Sequence, residues 1–117
     1  MGSTGSLEAT DLAAKAVQKT PNRVSLDSMT AKIAAEHYFT AGDAIHAMAN
    51  QPIPPSVATM TICILLMQNG YVVIGKSAPA DPDNFNAELG RKFAREDAIR
   101  QLWPLEGYAL RERLSSR

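Results

Sequence analysis

The sequence predicts an α+β fold in which an antiparallel β-hairpin packs on a long amphipathic helix, with N-terminal helices and a short C-terminal helix. Two observations carry this prediction: two β-prone segments joined by Asn69-Gly70, and a long helix-forming segment that follows them. The 117 residues suffice for one domain that buries about two-thirds of its unfolded surface. We expect residues 1–20 to be a flexible or loosely docked extension and residues 21–117 to form the domain.

The hairpin is the strongest local signal in the sequence. Thr59–Met67 and Tyr71–Ser77 are rich in β-branched and apolar residues, and only Gln68-Asn69-Gly70 separates them. Asn-Gly supplies two positive-φ positions, which a tight type I′ turn requires. The sequence therefore predicts a hairpin with a type I′ turn.

Three helices are predicted before the hairpin. The alanine-rich segment Leu7–Gln18 favours a helix with Leu12 and Val17 as its apolar contacts. Thr40-x-x-Asp43 has the form of a capping box and opens the third helix.

The second of these helices begins after Ser25, a good N-cap residue. At about 100° per residue, one apolar stripe extends as far as His37. The stripe consists of Leu26, Met29 and Ile33. We expect His37 to cap carbonyl groups at the C-terminal end of this helix.

The long helix follows the hairpin. Asp81 is a good N-cap and Pro82 suits the first helical position, so the helix is expected to begin there. Pro104 is expected to end it after Trp103, and a short last helix should follow.

Both faces of the hairpin are apolar. Ile62, Ile64 and Leu66 point one way, and Cys63, Leu65 and Met67 point the other. The long helix can cover one of these two faces. The opposite face needs the N-terminal helices (residues 26–50) or another chain. We therefore hypothesise a homodimer or higher oligomer in which hairpins pair edge to edge or stack on this face. The anchors expected in the core or at an interface are Ile62, Ile64, Leu66, Val72, Ile74, Trp103 and Tyr108.

Charged residues fall within the apolar stripe of the long helix. Lys92, Glu96 and Arg100 are spaced i,i+4, so they can form an internal ion-pair cluster. The cluster is either structural or part of a pocket for an anionic ligand. Arg91 and Arg95 lie off the stripe and are expected to be solvated.

Several classes of function are disfavoured. Twelve basic residues balance twelve acidic ones, which counts against nucleic-acid binding. Cys63 is the single cysteine, so there is no intramolecular disulfide and no cysteine-based metal site. The apolar run Ile62–Met67 is too short to span a membrane. We expect no metal, no cofactor and no membrane partner.

Two blocks of the sequence resemble a known family. The first comprises Thr20–Ser25 (Thr-Pro-Asn-Arg-Val-Ser) and Ile33–Ala41 (Ile-Ala-Ala-Glu-His-Tyr-Phe-Thr-Ala). The second runs from Thr61-Ile-Cys-Ile-Leu to the segment Ile99-Arg-Gln-Leu-Trp-Pro-Leu-Glu-Gly-Tyr. Over about residues 20–114 the chain is similar to the small tailed-phage proteins named after gene product forty-nine of phage N4 and gene product sixty-six of phage Sf6. The resemblance implies a phage or prophage origin and expression in the bacterial host cytoplasm, and it offers no catalytic residues to transfer.

The expected function is that of a non-enzymatic accessory protein that binds a host macromolecule, in host takeover or anti-defence. The alternative is an oligomeric binder of a small anionic ligand of nucleotide type, held by Lys92, Glu96 and Arg100. A third hypothesis is a small enzyme with Glu96 or His37 as its acid/base, although no second catalytic partner can be placed from the sequence.

Overall fold

A three-stranded antiparallel sheet and one long helix dominate the computed structural model, which describes residues 6–117. The sheet order is β1-β2-β3, and α5 crosses one face of it. In chain order the elements are α1 (Leu7–Ala16), α2 (Leu26–Thr30), β1 (Ile33–Thr40), α3 (Ala41–Met48), α4 (Pro55–Ala58), β2 (Thr61–Met67), β3 (Val72–Ser77), a 3-10 turn (Pro82–Asn84) and α5 (Ala87–Ser115). The predicted α+β fold is confirmed.

The hairpin forms as predicted, but its turn differs in type. The Met67 N–H donates to the Tyr71 carbonyl at 2.8 Å, and the Gly70 N–H donates to the Met67 carbonyl at 2.9 Å. Within residues 6–117 only Gly70 has a positive φ, of 89°. This is a three-residue loop with one left-handed glycine, so the type I′ prediction was wrong. Asn69 acts through its side chain instead, which accepts from the Tyr71 N–H at 2.9 Å.

The second predicted helix is much shorter than expected, and the expectation for His37 was wrong. Ser25 caps α2 as predicted, but α2 ends at Thr30 and the chain continues as strand β1. β1 pairs with β2, and His37 lies opposite Ile64 rather than at a helix end. Pairing with a central strand outweighs the helical periodicity, since local propensity is a weak constraint where tertiary partners exist.

α5 runs through Pro104, so the predicted helix end and the separate last helix were both wrong. Its start is also later, because Asp81 caps only the 3-10 turn and Asn86 caps α5. A proline inside a helix costs about 3 kcal/mol, yet contacts on both sides of it hold the chain in place. Leu102 is buried before the proline, and Glu106 forms an ion pair with Lys32 at 2.6 Å after it.

The core lies between α5 and one face of the sheet. Its buried side chains are Cys63, Leu65, Met67 and Val73 from the sheet and Ala94, Ala98, Ile99 and Leu102 from α5. Gly75 lets β3 approach the helix closely, because a Cβ there would lie 2.0 Å from the Ala94 carbonyl oxygen.

The N-terminal helices extend this core on the side of α5. α2 packs against α5, and α1 packs against α2. Leu7 is the buried residue of α1. Leu12 and Val17, the expected contacts, are 67% and 74% exposed, so that expectation was wrong.

The outer edge of β3 is covered by side chains of α5. The Lys76 N–H donates to Asp97 Oδ2 at 3.0 Å, and Gln101 Nε2 donates to the Ile74 carbonyl at 2.8 Å. β1, the other edge strand, carries a bulge between Ile33 and Ala35. The face of the sheet opposite α5 is covered neither by α5 nor by the N-terminal helices α1 and α2.

Candidate protein-binding surfaces

The charged residues singled out on α5 line two separate cavities. Lys92 and Glu96 border a cavity of about 400 Å³ between α5 and the helices α1 and α2. Arg100 borders another, of about 260 Å³, together with Lys76 and Asp97. Glu96 is buried, but none of the ion pairs within residues 6–117 joins it to Lys92. Lys92 and Arg100, the two cations of the predicted cluster, therefore line different cavities.

A different polar cluster connects β1 to α5. Arg95 Nε donates to Glu36 Oε1 at 3.0 Å, and the Tyr38 hydroxyl donates to the same oxygen at 2.6 Å. Arg95 therefore pairs with a carboxylate, and the expectation of a merely solvated side chain was wrong. The sequence gives no sign of this pair, because its partners lie 59 residues apart.

The electrostatics of this cluster keep the Glu36 carboxylate and the Arg95 guanidinium charged, and keep Tyr38 and Cys63 neutral. Burial opposes ionisation of Glu36, but hydrogen bonds from Tyr38 and Arg95 outweigh it and lower the pKa of Glu36. Burial, together with the bond to Glu36, raises the pKa of Tyr38. Burial also raises the pKa of the Cys63 thiol, so this cysteine is a poor nucleophile. The cluster suits a structural link between strand and helix.

The uncovered side of the sheet is apolar, and we call it the open face. Its half-buried centre is Ile62 and Ile64 on β2, and its most exposed members are Val72 at 50% and Ile74 at 56%. The remaining members are Leu66, Ala35, Phe39, His37 and Lys76. Of the predicted anchors, the five on the hairpin thus share this surface. Phe39 was missed because its segment was assigned to a helix, although Tyr38-Phe39-Thr40 is β-prone.

A second apolar surface lies between the hairpin turn and the C-terminal half of α5, and we call it the hairpin groove. It has a volume of about 480 Å³. Buried Met67 and Leu102 form its floor, and Tyr71 and Leu105 stand beside them at 53% and 45% exposed. The Lys32–Glu106 ion pair lies at the rim.

The two predicted aromatic anchors on α5 have different surroundings. Tyr108 lies one turn beyond Leu105 and is 70% exposed, so it adds an aromatic ring to the surface near the hairpin groove. Trp103 is half-buried, and its Nε1–H donates to the Val24 carbonyl at 3.3 Å. Trp103 therefore anchors the segment before α2. The groove as a whole was missed by sequence reasoning because it depends on α5 continuing past Pro104.

Within the part of the chain that the structure describes, no group of three His, Cys, Asp or Glu side chains is placed to hold a metal ion. None of the helices described combines the length and the apolar character needed to cross a bilayer. The open face and the hairpin groove each bring several exposed apolar side chains together, and surfaces of this type contact other proteins.

Comparisons with known proteins give one match. Neither the curated proteins nor the solved structures include a match to this chain. The model of one protein family matches residues 24–114, which is most of the chain and includes every strand and all of α5 up to Leu114. The match confirms the resemblance carried by the two sequence blocks. The chain belongs to the phage protein (N4 Gp49/phage Sf6 gene 66) family.

Proposed function

We propose that this phage protein is a non-enzymatic accessory protein that acts in the host cytoplasm by binding a host protein in the hairpin groove. The observation that carries the proposal is the groove itself, an apolar depression lined by the exposed ring of Tyr71, with the exposed ring of Tyr108 one helical turn beyond Leu105. Tyrosine is enriched among the residues that dominate binding energy at protein interfaces. Family membership supports a partner from the infected cell.

The groove favours a short apolar segment as the part of the partner that it receives. Met67 and Leu102 at the floor of the groove are apolar and buried. Insertion of an aliphatic or aromatic side chain of the partner therefore breaks few hydrogen bonds. Lys32 and Glu106 neutralise each other at the rim, so neither a strongly acidic nor a strongly basic segment is selected. This geometry favours a partner segment with one apolar anchor residue flanked by polar residues.

The alternative, a small anionic ligand held by Lys92, Glu96 and Arg100, has less support. Its two cations line different cavities, and Glu96 adds a buried carboxylate to one of them. An anion would need the cations to converge. We therefore favour protein binding.

The test begins with affinity capture from host lysate by the full chain and continues with the captured protein in purified form. Leu105→Ser and Tyr108→Ser remove apolar surface at and beside the groove, and each should weaken binding by roughly 10-fold or more in calorimetry. Leu12→Ser is the matched control, because Leu12 is 67% exposed on α1, away from the groove. It should bind like the wild type.

Two results would contradict the proposal. One is the reproducible absence of a protein captured in stoichiometric amounts. The other is a partner whose affinity is the same for Leu105→Ser, Tyr108→Ser and Leu12→Ser, since that partner would bind elsewhere.

A further inference from the structure

The open face has the layout of a protein interface. Its central strand, β2, contributes only aliphatic side chains, namely Ile62, Ile64 and Leu66. The polar members occupy the edge strands, His37 on β1 and Lys76 on β3. An apolar centre with a polar rim is the arrangement found in specific interfaces.

The edges of the sheet are less suitable for association than this face. At the β3 edge, the Lys76 N–H already donates to Asp97 and the Ile74 carbonyl already accepts from Gln101. At the β1 edge, the bulge near Ala35 interrupts the regular ladder, and Glu36 carries a charge. Bulges and charged residues are devices by which edge strands avoid pairing with other chains. Association is therefore favoured through the face.

The chain exposes enough surface for an interface with a second copy. Its accessible surface is 7867 Å², whereas a compact monomer of 12.6 kDa exposes about 6,200 Å². Its radius of gyration is 17.0 Å, against about 13 Å for a compact chain of this length. The excess surface is about 1,700 Å², which exceeds the ~800 Å² that each partner buries in a standard interface.

We propose that a second copy of the chain stacks on the open face, so that the two sheets form a sandwich with one α5 on each outer side. A two-fold axis parallel to the strands keeps the β2 residues of both copies together at the centre, with Ile64 near the axis. It also places Phe39 opposite Lys76 of the partner subunit, where the ammonium can lie against the ring. The same symmetry separates the two copies of His37 and the two copies of Lys76, so the like-charged ammonium groups do not meet.

The dimer is a separate claim from host-protein binding, because the hairpin groove does not include the β2 residues Ile62 and Ile64 or the β1 residue Phe39. The test is sedimentation of the full chain at micromolar concentrations. Wild type should be a dimer. Ile74→Glu places a charge on the open face and should raise the dissociation constant at least about 100-fold, giving a folded monomer.

The controls separate loss of the interface from loss of folding. Met48→Glu adds the same charge at a residue of α3 that is 88% exposed, and it should remain a dimer. If Ile74→Glu does not fold, Phe39→Lys at the opposite edge of the face gives a second measurement. Leu105→Ser should stay dimeric even where it abolishes host-protein binding.

Two outcomes overturn the proposal: a wild-type chain that sediments as a monomer, or a dimer that survives both open-face variants in folded form. A face-variant monomer that still binds the host protein supports it, because dimerisation and groove binding would then be independent.

Discussion

At the scale of single residues, the most informative contact is that of Glu36, which could not be predicted from the sequence. Glu36 joins β1 to α5 by accepting from Arg95 and Tyr38. Neither partner is identifiable until β1 is placed beside β2, because the pairing depends on tertiary register. By contrast, the caps at Ser25 and Thr40 were predictable, since each needs only residues within three positions.

The Glu36 contact gives a pH dependence with a definite sign. The pKa of Glu36 is lowered in the folded state from its ordinary value of 4.5. The stabilisation it provides is therefore present above about pH 4.5 and is lost as the pH falls through the folded-state pKa. Glu36→Gln should lower the free energy of unfolding by about 0.5 kcal/mol at pH 7, because the pair is partly solvated. Urea unfolding across the acid range should show this deficit disappearing.

A double-mutant cycle is the control for that experiment. Glu36→Gln and Arg95→Gln should be coupled at pH 7 by about 0.5 kcal/mol and uncoupled in acid. Additive effects at pH 7 would show that the pair contributes nothing to stability.

At the scale of elements, local signals predicted the hairpin and the caps at Ser25 and Thr40 but not β1 or the bounds of α5. Asn69-Gly70 requires a turn whatever surrounds it, which is why the hairpin prediction held even though its loop has three residues. Ile33–Thr40 has no such signal, and pairing with β2 decides its conformation. Pro104 is a helix breaker locally, but buried Leu102 and the ion pair at Glu106 offset its cost.

The packing of α5 on β3 depends on one glycine. Gly75→Ala places a methyl group 2.0 Å from the Ala94 carbonyl oxygen and 2.6 Å from the Ala98 nitrogen, both backbone atoms of α5. The helix must move away, so we expect the free energy of unfolding to fall by about 3 kcal/mol.

Gly107→Ala is the matched comparison. Gly107 lies inside α5 with nothing within 4 Å of its added Cβ. Alanine should therefore stabilise the helix by about 0.5–1 kcal/mol. Denaturant unfolding of both variants checks the pair, and equal effects would contradict the close approach at Gly75.

At the scale of the whole molecule, the sequence predicted which strand faces are apolar but not what covers them. Alternation along the hairpin placed Ile62, Ile64, Leu66, Val72 and Ile74 on one side, and the structure keeps them together on the open face. The alternative that residues 26–50 cover this side is wrong, because residues 33–40 enter the sheet itself. The hairpin groove could not be predicted from the sequence, because segments that are distant in the sequence line it together.

The first helix offers a test of whether the N-terminal segment is part of the domain. Leu7 is 4% exposed, and Asp11 accepts from the Leu26 N–H at 3.0 Å, so α1 contributes to the same core. Leu7→Ala should lower the free energy of unfolding by about 2–3 kcal/mol. Leu12→Ala, on the same helix but exposed, should change it by less than about 0.5 kcal/mol. Thermal unfolding with equal midpoints for both variants would show that α1 docks only loosely.

The indole of Trp103 gives the protein a built-in optical probe. It is the single tryptophan of the chain, and its N–H bonds the Val24 carbonyl in the segment that leads into α2. Detachment of that segment from α5 would expose the indole ring to water and shift its intrinsic fluorescence to longer wavelength. Because the ring lies outside the open face, separation of two stacked copies would leave its emission unchanged, so one spectrum distinguishes local fraying from dissociation.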